Sequence, residues 1–330
     1  MCQLLPELRD ILNEFSDGIK RFDKEPPENR ERDDLDTIIR EVDEKADRIK
    51  DNLVSNSPDF LKEALRDACY LKKNNDRTFS AYTGMVLGGA DPDKFFDILF
   101  ALDVLDLSVL VIDDILDGAE KRANKAAHHK KWGMETSLSI AMYLKSVSSK
   151  MVIESFVDEK RRLKILKEMD ELHLKIYEGQ FLDADFRNKD AGEISEDAYL
   201  DMVSLTTGYQ IAGCFRIGGI LAGLDEDTIT ILGEIGLRFG TAGQIRDDMI
   251  DYIWDEDSTW KTPLLDFKTD KKRIPLIIAW KNATEKERDE LAALQKMADL
   301  EARDYMQVLS IVMKPENLNE ILKITGRKKN

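Results

Sequence analysis

Asp113-Asp114-Ile115-Leu116-Asp117 closes an apolar run at residues 107–112, and Asp247-Asp248-Met249-Ile250-Asp251 repeats the same Asp-Asp-x-x-Asp spacing further along the chain. Residues four apart share a helix face. Asp113 and Asp117 would therefore project together, with Asp114 on the flank. A carboxylate set in apolar packing needs a partner, because an unpaired buried charge is strongly unfavourable. Two such rims facing each other would hold several divalent cations. Carboxylate oxygens suit Mg²⁺, which also binds substrate phosphates. The chain has 65 acidic residues, so one copy of the motif could be a solvated acidic face. Two copies in apolar helical sequence argue against chance.

The sequence around these motifs reads as helical. Only 8 of the 330 residues are proline, and Leu, Ile, Glu, Lys and Asp dominate. Residues 1–22 carry Leu4, Leu5, Leu8, Ile11, Leu12 and Phe15 near helical spacing. Pro26-Pro27 mark a charged loop, and 36–52 reads as a polar helix. Helices are expected over 58–71, 77–88 and 93–118, the last almost continuously apolar and hence central. Others are expected near 134–157, 159–187, 195–222, 225–252, 273–281, 284–307 and 316–323, and no segment alternates like a strand. The fold class is all-α, with helices packed around a central cavity.

Composition excludes some functions. A net charge of −16 argues against a nucleic-acid partner, which needs a basic stripe. It does not exclude an anionic small substrate, because bound Mg²⁺ inverts the local field. Cys2, Cys69 and Cys214 show no metal-ligand spacing, and a sparse, odd count fits a reducing compartment. No apolar run is long enough for a membrane span. The N-terminus lacks a signal-peptide layout, so a soluble, cytoplasmic protein is expected.

Further motifs fall in a recognisable order. Lys121-Arg122, His128 and Gly133 follow the first aspartates, and Gly179-Gln180-Phe181-Leu182-Asp183 lies between the two clusters. Lys261, Asp266, Lys271 and Ile274-Pro275-Leu276 follow the second. Together these resemble the trans-isoprenyl diphosphate synthases, the polyprenyl synthetase family that includes farnesyl and geranylgeranyl diphosphate synthases. The resemblance implies the isoprenoid synthase fold in a single domain spanning 1–330. That domain would have variable N-terminal helices at 1–57, a family-like core at 58–285 and C-terminal helices at 286–330.

The resemblance also implies a reaction. An allylic isoprenyl diphosphate ionises, and three Mg²⁺ neutralise the departing diphosphate. Asp113, Asp117, Asp183, Asp247 and Asp251 are the implied metal ligands, and Asp113, Asp114, Asp117, Gln180, Asp247 and Asp248 the catalytic set. Arg77, Ser108, Lys121, Arg122, Thr206, Gln244, Lys261 and Lys271 are the implied substrate contacts. Ser108, five before the first aspartate, is small and would leave a tunnel open for tails longer than fifteen carbons. A homodimer is implied, with apolar segments at 107–112 and 137–153 available for it.

The chain departs from the family on the side that binds isopentenyl diphosphate. The family's Gly-Lys-Arg-x-Arg-Pro segment reads Lys73-Asn74-Asn75-Asp76-Arg77-Thr78 here, its histidine falls on Asp106, and Thr206 stands at a lysine position. A carboxylate at 106 would repel a second diphosphate. Lys73 could substitute after a one-residue shift of the loop. Three readings follow: a synthase using isopentenyl diphosphate, a cyclase or prenyltransferase with another acceptor, or a non-catalytic helical subunit or scaffold. His128 and His129 have no second ligand at useful spacing and are expected at the surface, and His173 is expected to be solvated.

Overall fold

The computed structural model describes residues 29–72, 74–123, 125–252, 264–297 and 300–325. The expected helix at 1–22, residues 23–28 of the loop expected over 23–34, Lys73 and Lys261 lie outside them, and residues 29–34 of that loop are helical instead. The described elements are almost all helical: α1 (Asn29–Ser55), α2 (Lys62–Cys69), α3 (Asp76–Leu87), α4 (Phe96–Leu116), α5 (His128–Trp132), α6 (Met134–Ile153) and α7 (Glu159–Arg187). After these come α8 (Glu196–Val203), α9 (Tyr209–Ala222), α10 (Glu226–Ile250), α11 (Leu265–Lys268), α12 (Ile274–Asn282), α13 (Glu285–Gln295), α14 (Ala302–Val312) and α15 (Pro315–Thr325). They group into two compact units. One holds 36–177 and 205–240; the other holds 29–35, 178–204 and the described residues from 241 onward.

In the first of these units α4 is buried on all sides. Ile98 through Leu102 are five consecutive buried apolar residues, which no one-sided helix could show. Phe100 and Leu107 pack against Ala64, Leu65, Ile140 and Leu144 from α2 and α6. Leu102, Leu105 and Val109 pack with Ala81, Met85, Cys214 and Ile217 from α3 and α9. Truncating Phe100 to Ala would cost about 3–5 kcal/mol by transfer and cavity terms. The α3–α9 contact is closer than ordinary helix packing. A Cβ on Gly218 would lie 2.3 Å from the Ala81 carbonyl oxygen, and one on Gly84 would lie 2.7 Å from that of Phe215. Only glycine allows the two backbones to meet in this way.

The other unit has its own core. Tyr199, Met249, Tyr252 and Phe267 pack with Ile274, Leu276–Ala279 of α12 and Val308, Ile311 and Val312 of α14. Arg273 precedes Pro275 in the first turn of α12, where the missing proline N–H is tolerated.

Three local expectations change. The helix expected over 195–222 is interrupted by a π-helical turn at Ser204–Gly208, a rare element that is frequent at functional sites. The helix expected over 284–307 ends at Gln295. A reciprocal capping box between Glu301 and Asp304 begins α14 afresh. A two-residue hairpin, β1 (Lys121–Arg122) paired antiparallel with β2 (Lys125–Ala126), stands where no strand is expected. Gly118, at φ 61°, ends the preceding helical segment, and Ala123 turns the hairpin at φ 48°.

Candidate active site

Both aspartate motifs lie at helix C-termini. α4 runs up to Leu116 with Asp117 as its C-cap, and α10 ends at Ile250; neither has a basic residue in its last turn. The C-terminal pole of a helix carries about half a negative charge, so aspartates there are locally unfavourable by roughly 0.3–1 kcal/mol each. A cation at either end would offset the carboxylate charge and the helix pole there.

Around the first motif the hairpin supplies one cation. Arg122 grips both carboxylate oxygens of Asp114, its Nε donating to Oδ1 and Oδ2 at 2.8 and 2.9 Å. Its Nη2 lies 3.6 Å from Asp113 Oδ2. Burial opposes the guanidinium charge, and the bonds to Asp114 outweigh this and raise the Arg122 pKa. Asp114 is buried and thereby committed, whereas Asp113 and Asp117 are only half-buried. Lys121 is exposed on the same hairpin.

Nearby on α4, Asp103 and Asp106 are buried one turn apart in apolar surroundings. Lys72 Nζ reaches three carboxylates, Asp76 at 2.7 Å, Asp103 at 2.6 Å and Asp106. Arg77 pairs with Asp76 and lies 3.3 Å from Asp106 through Nε. Gln210 of α9 donates to Asp106 Oδ1 at 2.6 Å. The Asp103 carboxylate accepts from the Thr78 backbone N–H at 2.7 Å. Burial works against the Asp106 charge, but Arg77 and Lys72 outweigh it and hold its carboxyl below the usual range. Burial prevails at Asp103 and pushes its carboxyl up. Asp76, Asp103 and Asp106 have oxygens close enough together to hold a metal ion. The Lys72 ammonium already occupies that position, so the cluster is an internal ion network. The charge of Asp106 therefore meets resident cations.

Around the second motif, Asp248 accepts from the Tyr199 hydroxyl at 2.6 Å and from Gln244 Nε2 at 2.8 Å. Burial holds its carboxyl above the usual range despite Arg273. Asp251 accepts the Leu265 and Asp266 backbone N–H groups at 3.2 and 3.0 Å. Asp247 is half-buried, with Arg246 Nη2 beside it at 3.1 Å. Asp183, from the Gly-Gln-x-x-Asp segment on α7, is buried against Arg273 at 2.5 Å and Arg187 at 3.3 Å. Lys271 lies 3.8 Å from Asp266. Gln180 is half-buried on α7, and Thr206 falls inside the π-helical turn. A cavity of about 620 Å³ in this unit, lined by Gly192, Glu196, Trp280 and Arg288, includes none of the motif aspartates.

Ser108 is fully buried, and its hydroxyl donates to the Leu105 carbonyl at 2.6 Å. His128 corrects the surface expectation. It is buried, with Nδ1 2.7 Å from Ser137 Oγ and Nε2 3.0 Å from the Ala64 carbonyl, tying α5 to α2 and α6. His173 is half-buried edge-on to Tyr177, and burial lowers its pKa to about 4. It is therefore not a solvated histidine. Residues 107–112 belong largely to the core, whereas α6 leaves Met134, Leu138, Met142 and Ile153 exposed.

Sequence reasoning missed Arg273, Tyr199, Gln210 and Asp103 as site residues. Asp103 carried a signal, since two carboxylates three apart on the most apolar helix require buried cations. Arg273 carried one too, because it directly precedes the apolar run from Ile274. Tyr199 and Gln210 had none beyond their positions in apolar helices.

The chain can be set beside known proteins. The family model described as polyprenyl synthetase matches residues 63–312. A short chain isoprenyl diphosphate synthase of Methanothermobacter thermautotrophicus is 28% identical over 263 residues, 79% of this chain and 80% of that one. A geranylgeranyl diphosphate synthase of Saccharolobus solfataricus is 26% identical over 285 residues, covering 86% and 85%. The geranylgeranyl pyrophosphate synthetase structure from Pyrococcus horikoshii superposes with a TM-score of 0.78 at 23% identity, covering 89% and 90%. That likeness gives the fold, the all-α isoprenoid synthase fold. With a match over most of its length, the chain belongs to the polyprenyl synthetase family.

Proposed function

We infer that this chain is a Mg²⁺-dependent prenyltransferase that joins an allylic isoprenyl diphosphate to isopentenyl diphosphate. The observation that carries the reading is the pair of aspartate motifs placed at two helix C-termini with no basic residue in either last turn. The donor set is all carboxylate oxygen, which fits Mg²⁺. Bound Mg²⁺ supplies neutralising charge for the departing diphosphate. We assign Asp113, Asp117, Asp247 and Asp251 as its ligands. The allylic C–O bond breaks and its electron pair leaves with the diphosphate. The isopentenyl double bond attacks the allylic carbon, and loss of a proton restores an alkene. Lys121, Arg122 and Lys271 are the cations proposed to meet the diphosphates, and Lys261 and Thr206 complete the proposed contacts. Gln180 is proposed near the allylic cation. Gln244 acts through Asp248, to which it is bonded.

The enzyme is proposed to work as a homodimer in the cytoplasm, within a single catalytic domain. The apolar stripe of Met134, Leu138 and Met142 on α6 supports the dimer, and light scattering on the purified chain checks it. Among the described residues no helix is long and apolar enough to cross a membrane. The metal assignment is tested by thermal unfolding. Mg²⁺ plus a non-reactive allylic diphosphate analogue should raise Tm by more than the sum of the two separate shifts, because carboxylates and diphosphate hold the ions jointly. Strictly additive shifts overturn the assignment.

A further inference from the structure

The second aspartate cluster has a built-in cation. Arg273 is buried at the start of α12, and three carboxylates surround its guanidinium. Nη1 donates to Asp183 Oδ1 at 2.5 Å. Nε lies 3.9 Å from Asp248 and 3.8 Å from Asp266, and it has no hydrogen-bond partner. A buried donor aimed at two carboxylates without bonding either is held there by charge, because an orphaned N–H is unfavourable. Arg187 takes the other oxygen of Asp183, Oδ2, at 3.3 Å. Both oxygens of Asp183 thus face guanidinium groups, and a divalent cation approaching that carboxylate would meet like charge on both sides.

We propose that Arg273 is a resident counter-ion that takes the place of one divalent cation in this cluster. Asp183 is then its positioning partner and not a metal ligand. The inference rests on the metal-dependent reading above, and it changes the ion count expected of this chain. Arginine suits the role because its guanidinium stays charged when buried and offers donors in a planar fork.

The test is Mn²⁺ binding by equilibrium dialysis with inorganic diphosphate present, on the full chain. Arg273→Gln should bind about one more Mn²⁺ per chain than wild type, because it exposes the Asp183 carboxylate to the ion. Arg273→Lys, which keeps the charge, should bind the wild-type number. Asp183→Asn should leave Mn²⁺ affinity within about twofold in the wild-type background and lower it about tenfold in the Arg273→Gln background. An unchanged count in Arg273→Gln overturns the proposal, as does a tenfold loss from Asp183→Asn alone. If Arg273→Gln does not fold, Arg273→Gln with Asp183→Asn removes both charges together, and it should bind the wild-type number. Any other number overturns the proposal. Wild type that binds no Mn²⁺ with diphosphate overturns the metal reading itself, and this inference with it.

Discussion

Asp106→Asn is the substitution whose outcome the ion network specifies most fully. Lys72 and Arg77 contribute two positive charges, and Asp76, Asp103 and Asp106 contribute three negative ones, leaving one excess negative charge. Asparagine at 106 brings the sum to zero. Its amide oxygen still accepts from Gln210, which now donates at 2.6 Å. Lys72 keeps Asp76 at 2.7 Å and Asp103 at 2.6 Å, and Arg77 keeps Asp76. The fold should therefore change in stability by no more than about 1–2 kcal/mol. One Lys72 donor and the Arg77 Nε are released. A hydrogen bond from a charged donor to phosphate is worth roughly 1.5–3 kcal/mol, and 1.4 kcal/mol is tenfold in affinity. If these cations serve the acceptor, KM for isopentenyl diphosphate should fall about tenfold or more. The KM for the allylic diphosphate should stay put. The assay is initial rate at saturating allylic diphosphate with isopentenyl diphosphate varied, alongside circular dichroism. A folded variant whose isopentenyl diphosphate KM is unchanged or higher would refute the reasoning. It would show that Lys72 and Arg77 serve the fold alone.

Gly218→Ala should lower stability by about 3 kcal/mol or more, at or beyond the usual range for overpacking, since its Cβ would meet backbone at 2.3 Å. Chemical denaturation checks this, and a loss under about 1 kcal/mol would contradict the contact. His173 gives a pH dependence. Burial holds its folded pKa at about 4, below the ordinary histidine value of about 6.5, so the unfolded chain takes up the proton first as pH falls. Stability is therefore full above about pH 6.5 and is lost progressively down to about pH 4. The full shift corresponds to about 3 kcal/mol, and partial exposure of the ring reduces that to roughly 1–2 kcal/mol. His173→Gln should flatten this part of the Tm–pH curve, and an unchanged slope would count against it.

Much of the fold was legible because helical periodicity and the two aspartate motifs pointed the same way. The apolar run through α4 announced a central helix, and its close announced the first motif. The π-helical turn at Ser204–Gly208 was not legible, because Leu205 and Thr206 suit an ordinary helix equally well and tertiary packing decides. The hairpin at Lys121–Ala126 was too short to show alternation. In the site, the motif aspartates were readable as residues but not as environments. Asp113 and Asp247 are accessible, whereas Asp114, Asp183 and Asp248 are occupied by Arg122, Arg273 and Tyr199. Pattern alone cannot separate a carboxylate that solvent reaches from one closed in by its partners. Asp106 illustrates the same limit. Its charge suggested repulsion of a second anion, but Lys72, which neutralises it, comes from a segment whose register the sequence left open.

The central claim is metal-dependent condensation, and product analysis tests it most directly. The purified chain is incubated with Mg²⁺, isopentenyl diphosphate and, in separate reactions, geranyl, farnesyl or geranylgeranyl diphosphate. The account predicts products lengthened by five-carbon units with one inorganic diphosphate released per addition. It predicts no product with chelator, and a loss of roughly 10²-fold or more in both Asp113→Ala and Asp247→Ala with helicity retained. No lengthened product from any allylic diphosphate, or near-normal turnover in either alanine variant, would contradict it.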